Sequence, residues 1–206
     1  MKFDRKGLML VLSSPSGAGK TSLCKKIVSS DKNIILSVSS TTRPKRKSEI
    51  EGKDYFFSNE KEFIKQKEKN VFIETAKVFG FHYGTPKKFV ENNLNEGKDI
   101  LFDIDWQGTQ KLSDYSISDL VSIFILPPST DELKKRLKRR AEDSDEIVEN
   151  RMSKARSEIS HWVEYDYVLI NEDINKCLEN ILVIIQAERS KRSRQKYIFD
   201  FVEKLI

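Results

Sequence analysis

The stretch Leu8-Met9-Leu10-Val11-Leu12-Ser13 runs directly into Ser14-Pro15-Ser16-Gly17-Ala18-Gly19-Lys20-Thr21. Its first half is a near-continuous apolar run, as expected of a strand buried on both faces of a parallel sheet. Its second half matches the phosphate-loop pattern G-x-x-x-x-G-K-[ST], with Ser14 in place of the first glycine. The residue types fit the chemistry. Gly17 and Gly19 allow the backbone to turn its N–H groups inward, which makes an anion cradle. The helix that begins near Lys20 adds its positive dipole end at the same point. Lys20 supplies a point charge for phosphate oxygens, and the Thr21 hydroxyl is suited to Mg2+. A strand, this loop and a helix in that order predict nucleotide binding rather than a plain glycine turn.

Outward from the loop, short β-like runs alternate with helical ones, the mark of an α/β fold with helices on both faces of a parallel central sheet. Strands are expected at Ile34–Val38, Ile100–Asp103, Val121–Leu126 and Tyr167–Ile170, and a helix at Lys20–Ser29. Ile174, Cys177, Leu178, Ile181, Leu182 and Ile185 recur at helical spacing, as do Val148, Met152, Ala155, Ile159 and Trp162. Thr130, ahead of Asp131 and Glu132, has the character of a helix N-cap. Two stretches break the pattern. Residues 39–85 turn to Tyr, Phe, Gly and charge and predict a partly β insertion; residues 128–160 are charged and helical and predict a second one. The core is then 1–38, 86–127 and 161–206.

The chain has 206 residues and a formal net charge of +5. That surplus is local: residues 1–53 hold 12 basic and 4 acidic side chains, and the remainder holds 25 basic against 28 acidic. The anion this protein handles is therefore expected at the first quarter of the chain. Apolar runs such as Leu8–Leu12 are far below the roughly 18–20 residues of a membrane span, so no membrane segment is expected. Cys24 and Cys177 lie among apolar neighbours without metal-site spacing, which favours a reduced, cytoplasmic setting.

A phosphate loop names a nucleotide and leaves the second substrate open. In the first insertion, Arg43 and Arg46 flank Pro44 and Lys45, and Glu49, Tyr55, Glu74, Tyr83 and Thr85 follow. Arginine offers a planar fork for bidentate phosphate contact. Two arginines with hydroxyls and a carboxylate suit a nucleoside monophosphate. Ile100-Leu101-Phe102-Asp103 closes an apolar strand with a carboxylate, the position of a residue near the metal in phosphate-loop proteins.

With these motifs in place, the chain resembles the bacterial-type guanylate kinases over nearly its whole length. The resemblance rests on Ser14–Thr21, Ser37-Val38-Ser39-Ser40-Thr41-Thr42-Arg43, Glu49–Tyr55, Phe72-Ile73-Glu74 and Tyr83-Gly84-Thr85. It continues through Asp103-Ile104-Asp105-Trp106-Gln107-Gly108, Phe124–Ser129, Glu164–Tyr167 and Ile170-Asn171. It implies a P-loop kinase core carrying a GMP-binding insertion and a lid, with Mg2+ as cofactor and with ATP and GMP (dGMP as a further candidate) as substrates. By that resemblance the loop Ser14, Pro15, Ser16, Gly17, Ala18, Gly19, Lys20 and Thr21, with Asn171, holds ATP, and Thr21 and Asp103 face the metal. Ser39, Arg43, Arg46, Glu49, Tyr55, Glu74, Tyr83, Thr85, Asp103 and Asp105 serve GMP. Lys20, Arg43, Arg136, Arg140 and Arg151 act on the transferring phosphoryl. A carboxylate with hydroxyls is complementary to the donors of guanine and would be left unpaired by adenine. The lid departs from the family pattern, since Arg140 is flanked by Arg139 and Ala141 where glycines are usual.

Two other classes compete. A scaffold module of the same fold would lose nucleotide contacts, yet Lys20, Thr21, Arg43 and Arg46 are all present. The basic run Arg189–Lys196 is a candidate nucleic-acid surface, but few aromatics interleave with it, which disfavours RNA or DNA as partner.

Overall fold

Residues Met9–Ser13 form β1, every one of them buried. The computed structural model describes residues 5–47, 49–78, 80–141 and 145–206, and the side chains of residues 78, 139–141 and 145–147 lie outside that description. β1 is the middle strand of a five-stranded sheet with β2 (Ile34–Leu36), β7 (Asp99–Asp103), β8 (Leu120–Leu126) and β9 (Tyr167–Ile170) in the order β2-β7-β1-β8-β9. All its pairings are parallel. Side chains along β1 alternate between two apolar layers, as period-two geometry requires. Leu8, Leu10 and Leu12 pack with α1 (Lys20–Ser30) and α7 (Ile174–Arg189), through Leu23, Ile27, Cys177, Ile181 and Ile185. Met9 and Val11 pack on the other face with Val90 and Leu94 of α3 (Lys87–Asn95) and Leu112 of α4 (Trp106–Ser116).

The second strand is shorter than the expected Ile34–Val38. Ser37 donates a last hydrogen bond to the Leu101 carbonyl, and the chain then leaves for a second sheet. That sheet has the order β4-β3-β6-β5, built from β3 (Ser40–Thr41), β4 (Phe56–Phe57), β5 (Phe72–Val78) and β6 (Phe81–Pro86). Helix α2 (Glu60–Glu68), capped by the Asn59 side chain on the Glu62 amide, lays Phe63 against Phe72 with ring centroids 4.7 Å apart. His82 stacks on the same Phe63, a packing role.

Helices α5 (Thr130–Ala141) and α6 (Asp145–Ile159) share a small core of Leu133, Leu137, Val148, Met152 and Ala155. The cap of α5 is Ser129 rather than Thr130. Its hydroxyl accepts from the Glu132 amide and its carbonyl from the Leu133 amide, the two bonds of an N-cap. The helical stripe ends at Ile159, and a 3-10 turn over Ser160–Glu164 leaves Trp162 exposed instead of on the buried face.

Much of the basic run from the end of α7 onward has partners within the chain. Arg189 bonds Asp31 and Asp99, Lys191 pairs with Glu188, Arg194 is buried beside Glu188, and Lys196 donates to the Asn95 carbonyl. Asp99, fully buried, also accepts a two-pronged contact from Arg5 at 2.6 and 2.9 Å and the Leu8 amide at 3.0 Å. The free thiols are buried, and burial pushes Cys24 up to about 12.

Candidate active site

The loop after β1 stands at the carboxyl end of the central strand. From β1 the chain passes to β2 on one side, whereas β8 lies on the other side, an arrangement that opens a crevice at the strand ends. Gly17 and Gly19 have φ of 94° and 102°, which only glycine adopts without strain. At Gly19 a Cβ would also lie 2.5 Å from the Asn171 Nδ2. Asn171 is buried and donates from that nitrogen to the Ala18 carbonyl at 2.7 Å, so it clamps the loop from behind. Lys20 opens α1 directly after the loop. The cavity around the loop measures about 260 Å³ and is lined by Ser14–Gly17, Gly19–Ser22, Asp103, Asp105 and Glu158.

A larger cavity of about 640 Å³ opens between the two sheets, within the roughly 300–1,000 Å³ usual for small-molecule sites. Its walls carry Ser39, Arg43, Arg46, Glu49, Tyr55, Glu74, Tyr83, Asp103 and Asp105. Asp103 and Asp105 line both cavities and mark where they meet. Asp105 caps α4, accepting from the Gly108 amide at 3.0 Å. Asp103 pairs with Lys20 at 2.6 Å.

At one end of the large cavity is a preset arginine. Glu49 takes Arg43 at 2.6 Å through one oxygen and the Arg46 amide at 2.8 Å through the other. The Arg43 guanidinium holds the Glu49 carboxyl below the usual carboxylate range, helped by the Arg46 amide. Glu49 in turn raises Arg43 further. The guanidinium carbon lies over Tyr55 and Phe57, 5.3 and 5.9 Å from the ring centroids. The result is a cation whose orientation is fixed before any anion arrives.

At the other end is a buried carboxylate. β5 slips register against β6 between Phe72 and Thr75, and Glu74 lies within that irregularity, a device that re-aims a side chain. Glu74 is 6% exposed, and burial raises its pKa. Thr85, fully buried, donates its hydroxyl to Glu74 at 2.8 Å. Thr85 therefore acts through Glu74 and not on the cavity wall. An acceptor-only carboxylate opposite a cationic end suits a ligand with N–H donors at one end and an anion at the other.

These features coincide with what comparison shows. The family model described as guanylate kinase matches residues 6–188. Over all 206 residues the chain is 50% identical to a guanylate kinase of Rhizobium etli, covering 94% of it. A guanylate kinase of Novosphingobium aromaticivorans is 52% identical over 202 residues, with 98% of this chain and 91% of that one covered. The chain belongs to the guanylate kinase family. The crystal structure of guanylate kinase from Anaplasma phagocytophilum superposes with a TM-score of 0.78 at 42% identity, covering 97% of this chain and 95% of that one. The fold is thus the guanylate kinase fold, with a parallel central sheet flanked by helices.

Of the three arginines expected to act on the phosphoryl group from residues 128–160, Arg136 and Arg151 do not line the loop cavity. Arg136 bonds Glu132 at 2.9 Å and the Asn171 carbonyl at 3.3 Å. Arg151 lies on α6. The Arg140 side chain, with the flanking Arg139 and Ala141, falls outside the described residues. Sequence reasoning missed Phe57, Ala76, Phe81, Ile104 and Gly108 near the large cavity and Glu158 at the loop. Phe57 was within reach, since it lies two residues from Tyr55 and so on the same side of an extended segment. Glu158 carried no signal of its own on a charged helix.

Among the described residues, no three His, Cys, Asp or Glu side chains gather as a metal shell. Mg2+ fits here in the way it usually binds, keeping waters and taking one or two protein oxygens beside substrate phosphates. Thr21, an exposed residue, and Asp103 line the same cavity and offer one oxygen-bearing side chain each.

Proposed function

We propose that this chain transfers the γ-phosphoryl group of ATP to GMP, giving ADP and GDP. The observation that carries the reading is the pair of cavities meeting at Asp103 and Asp105, one ringed by the phosphate loop and the other running from Arg43 to Glu74. ATP phosphates lie on the loop amides, with Lys20 drawing negative charge from the bridging and transferring oxygens. Ser14–Thr21 and Asn171 make the ATP site. In the second cavity Arg43, Arg46, Tyr55 and Tyr83 take the GMP phosphate, while Glu74 and Ser39 serve the guanine and Thr85 holds Glu74 in place. The acceptor oxygen of GMP is already anionic, so the protein supplies no general base; its work is to bring two anions together in line and to offset their charge. Mg2+, when bound at Thr21 and Asp103 with ATP, neutralises charge on the phosphate oxygens.

Residues 39–85 form the GMP-binding unit, residues 128–160 the lid, and the remainder the nucleotide-binding core. Arg136, Arg140 and Arg151 reach the transferring phosphoryl when the lid closes, and closure keeps water from competing as acceptor. Among the described residues no helix is long and apolar enough to cross a membrane, and we place the enzyme in the cytoplasm. dGMP is an additional acceptor to be tested. A coupled assay of ADP release with ATP, Mg2+ and each of GMP, AMP, CMP and UMP tests the reading. Turnover with GMP alone is expected; equal turnover with AMP would overturn the role given to Glu74.

A further inference from the structure

The phosphate loop already holds a carboxylate. Glu158, in the last turn of α6, accepts the Ser16 amide through Oε2 at 3.1 Å and lines the same cavity as Gly17, Gly19, Lys20 and Thr21. An amide of an anion cradle is thus bound to a side-chain anion from another element. Burial raises the Glu158 pKa, and Asp105 adds to that; the Ser16 amide, Lys20 and Lys154 act in the opposite direction. A second contact joins the same two parts. Leu133 and Leu137 of α5 come so close to Gly17 that a Cβ there would meet them at 3.0 and 3.2 Å. Those leucines share one apolar core with Val148, Met152 and Ala155 of α6. The helix pair therefore rests on the loop as a unit, through an apolar contact at Gly17 and a carboxylate at Ser16.

We propose that Glu158 competes with the nucleotide phosphates for the Ser16 amide and thereby lowers the affinity of the loop for ATP. The inference rests on the ATP-site reading above. A phosphate and a carboxylate of like charge cannot share one amide in a cavity of this size, so ATP must displace Glu158. The Glu158 side chain leaves the amide by rotation about its own bonds, so the loss of this one contact is the cost that ATP binding meets.

The test is calorimetric titration of the full chain with ATP and Mg2+, and separately with GMP, for wild type, Glu158→Ala and Glu158→Gln. Removing the competitor is expected to tighten ATP binding about three- to tenfold in Glu158→Ala. Glu158→Gln, which keeps an acceptor but no charge, is expected to tighten it less. GMP affinity is expected to stay within about twofold in both, and it doubles as the check on folding. Unchanged or weaker ATP binding in both variants, with normal GMP binding, would overturn the proposal. A wild-type protein that binds GMP and not ATP would instead overturn the ATP-site reading and, with it, this competition.

Discussion

Lys20 Nζ lies 2.6 Å from Asp103 Oδ1 and 3.2 Å from the Ile104 carbonyl, which aims the loop cation at the junction of the two cavities. The cation lines the loop cavity and reaches its border with the second cavity at Asp103. Lys20→Ala is therefore expected to lower kcat by about 100-fold or more while GMP still binds with near wild-type affinity. Steady-state kinetics with calorimetry of GMP binding checks this. Loss of both together would contradict two distinct sites.

Arg43 is a fork held by Glu49, with its charge over the rings of Tyr55 and Phe57. Lysine keeps the charge and loses the fork. Arg43→Lys is expected to raise the KM for GMP by about ten- to a hundredfold and to leave the KM for ATP within about twofold. Initial rates over both substrates separate the two effects, and an equal rise in both would mean that Arg43 serves the whole fold.

Glu74 gives a pH prediction with a definite sign. Its pKa is raised above the ordinary 4.5 by burial, so the folded state holds the proton more tightly than the unfolded one. That contribution to stability is full below pH 4.5 and is lost as pH rises through the higher folded value. Glu74→Gln has no such loss. The Tm difference, Glu74→Gln minus wild type, is expected to grow as pH rises from about 4.5 toward neutrality, while GMP binding weakens. A pH-independent difference by differential scanning calorimetry would contradict the assignment.

Asp99 ties strand β7 to Arg5 near the start of the chain and Arg189 near its end. Removing it leaves two guanidiniums facing each other at a partly buried site. Asp99→Ala is expected to cost about 3–5 kcal/mol, read from urea unfolding with an unchanged slope, and to leave the KM for GMP unchanged in the folded protein.

How far these elements could be read from the chain depends on where their information lies. β1, β8, β9 and α7 were legible because a doubly buried strand and a one-faced helix leave local periodic patterns. The phosphate loop was legible because its backbone demands glycines at fixed offsets. The end of β2 was not, since it is set by a hydrogen bond to Leu101 on another strand. Nor was the cap of α5, where Ser129 and Thr130 are both capable residues and geometry selects the first. Glu74 stood out as a carboxylate, but the register slip that re-aims it belongs to the pairing of β5 with β6. The basic run from the end of α7 onward reads as a surface because the partners Asp31, Asp99 and Asn95 lie about a hundred residues or more away in sequence. Glu158 meets Ser16 across 142 residues, a contact with no local trace.

The most direct measurement of the central claim follows the label. ATP carrying radioactive phosphorus at the γ position is incubated with the enzyme, Mg2+ and GMP, and the nucleotides are separated by chromatography. The account predicts that the label moves into GDP, with one ADP formed for each GDP. Label recovered as inorganic phosphate, with GMP unchanged, would contradict it.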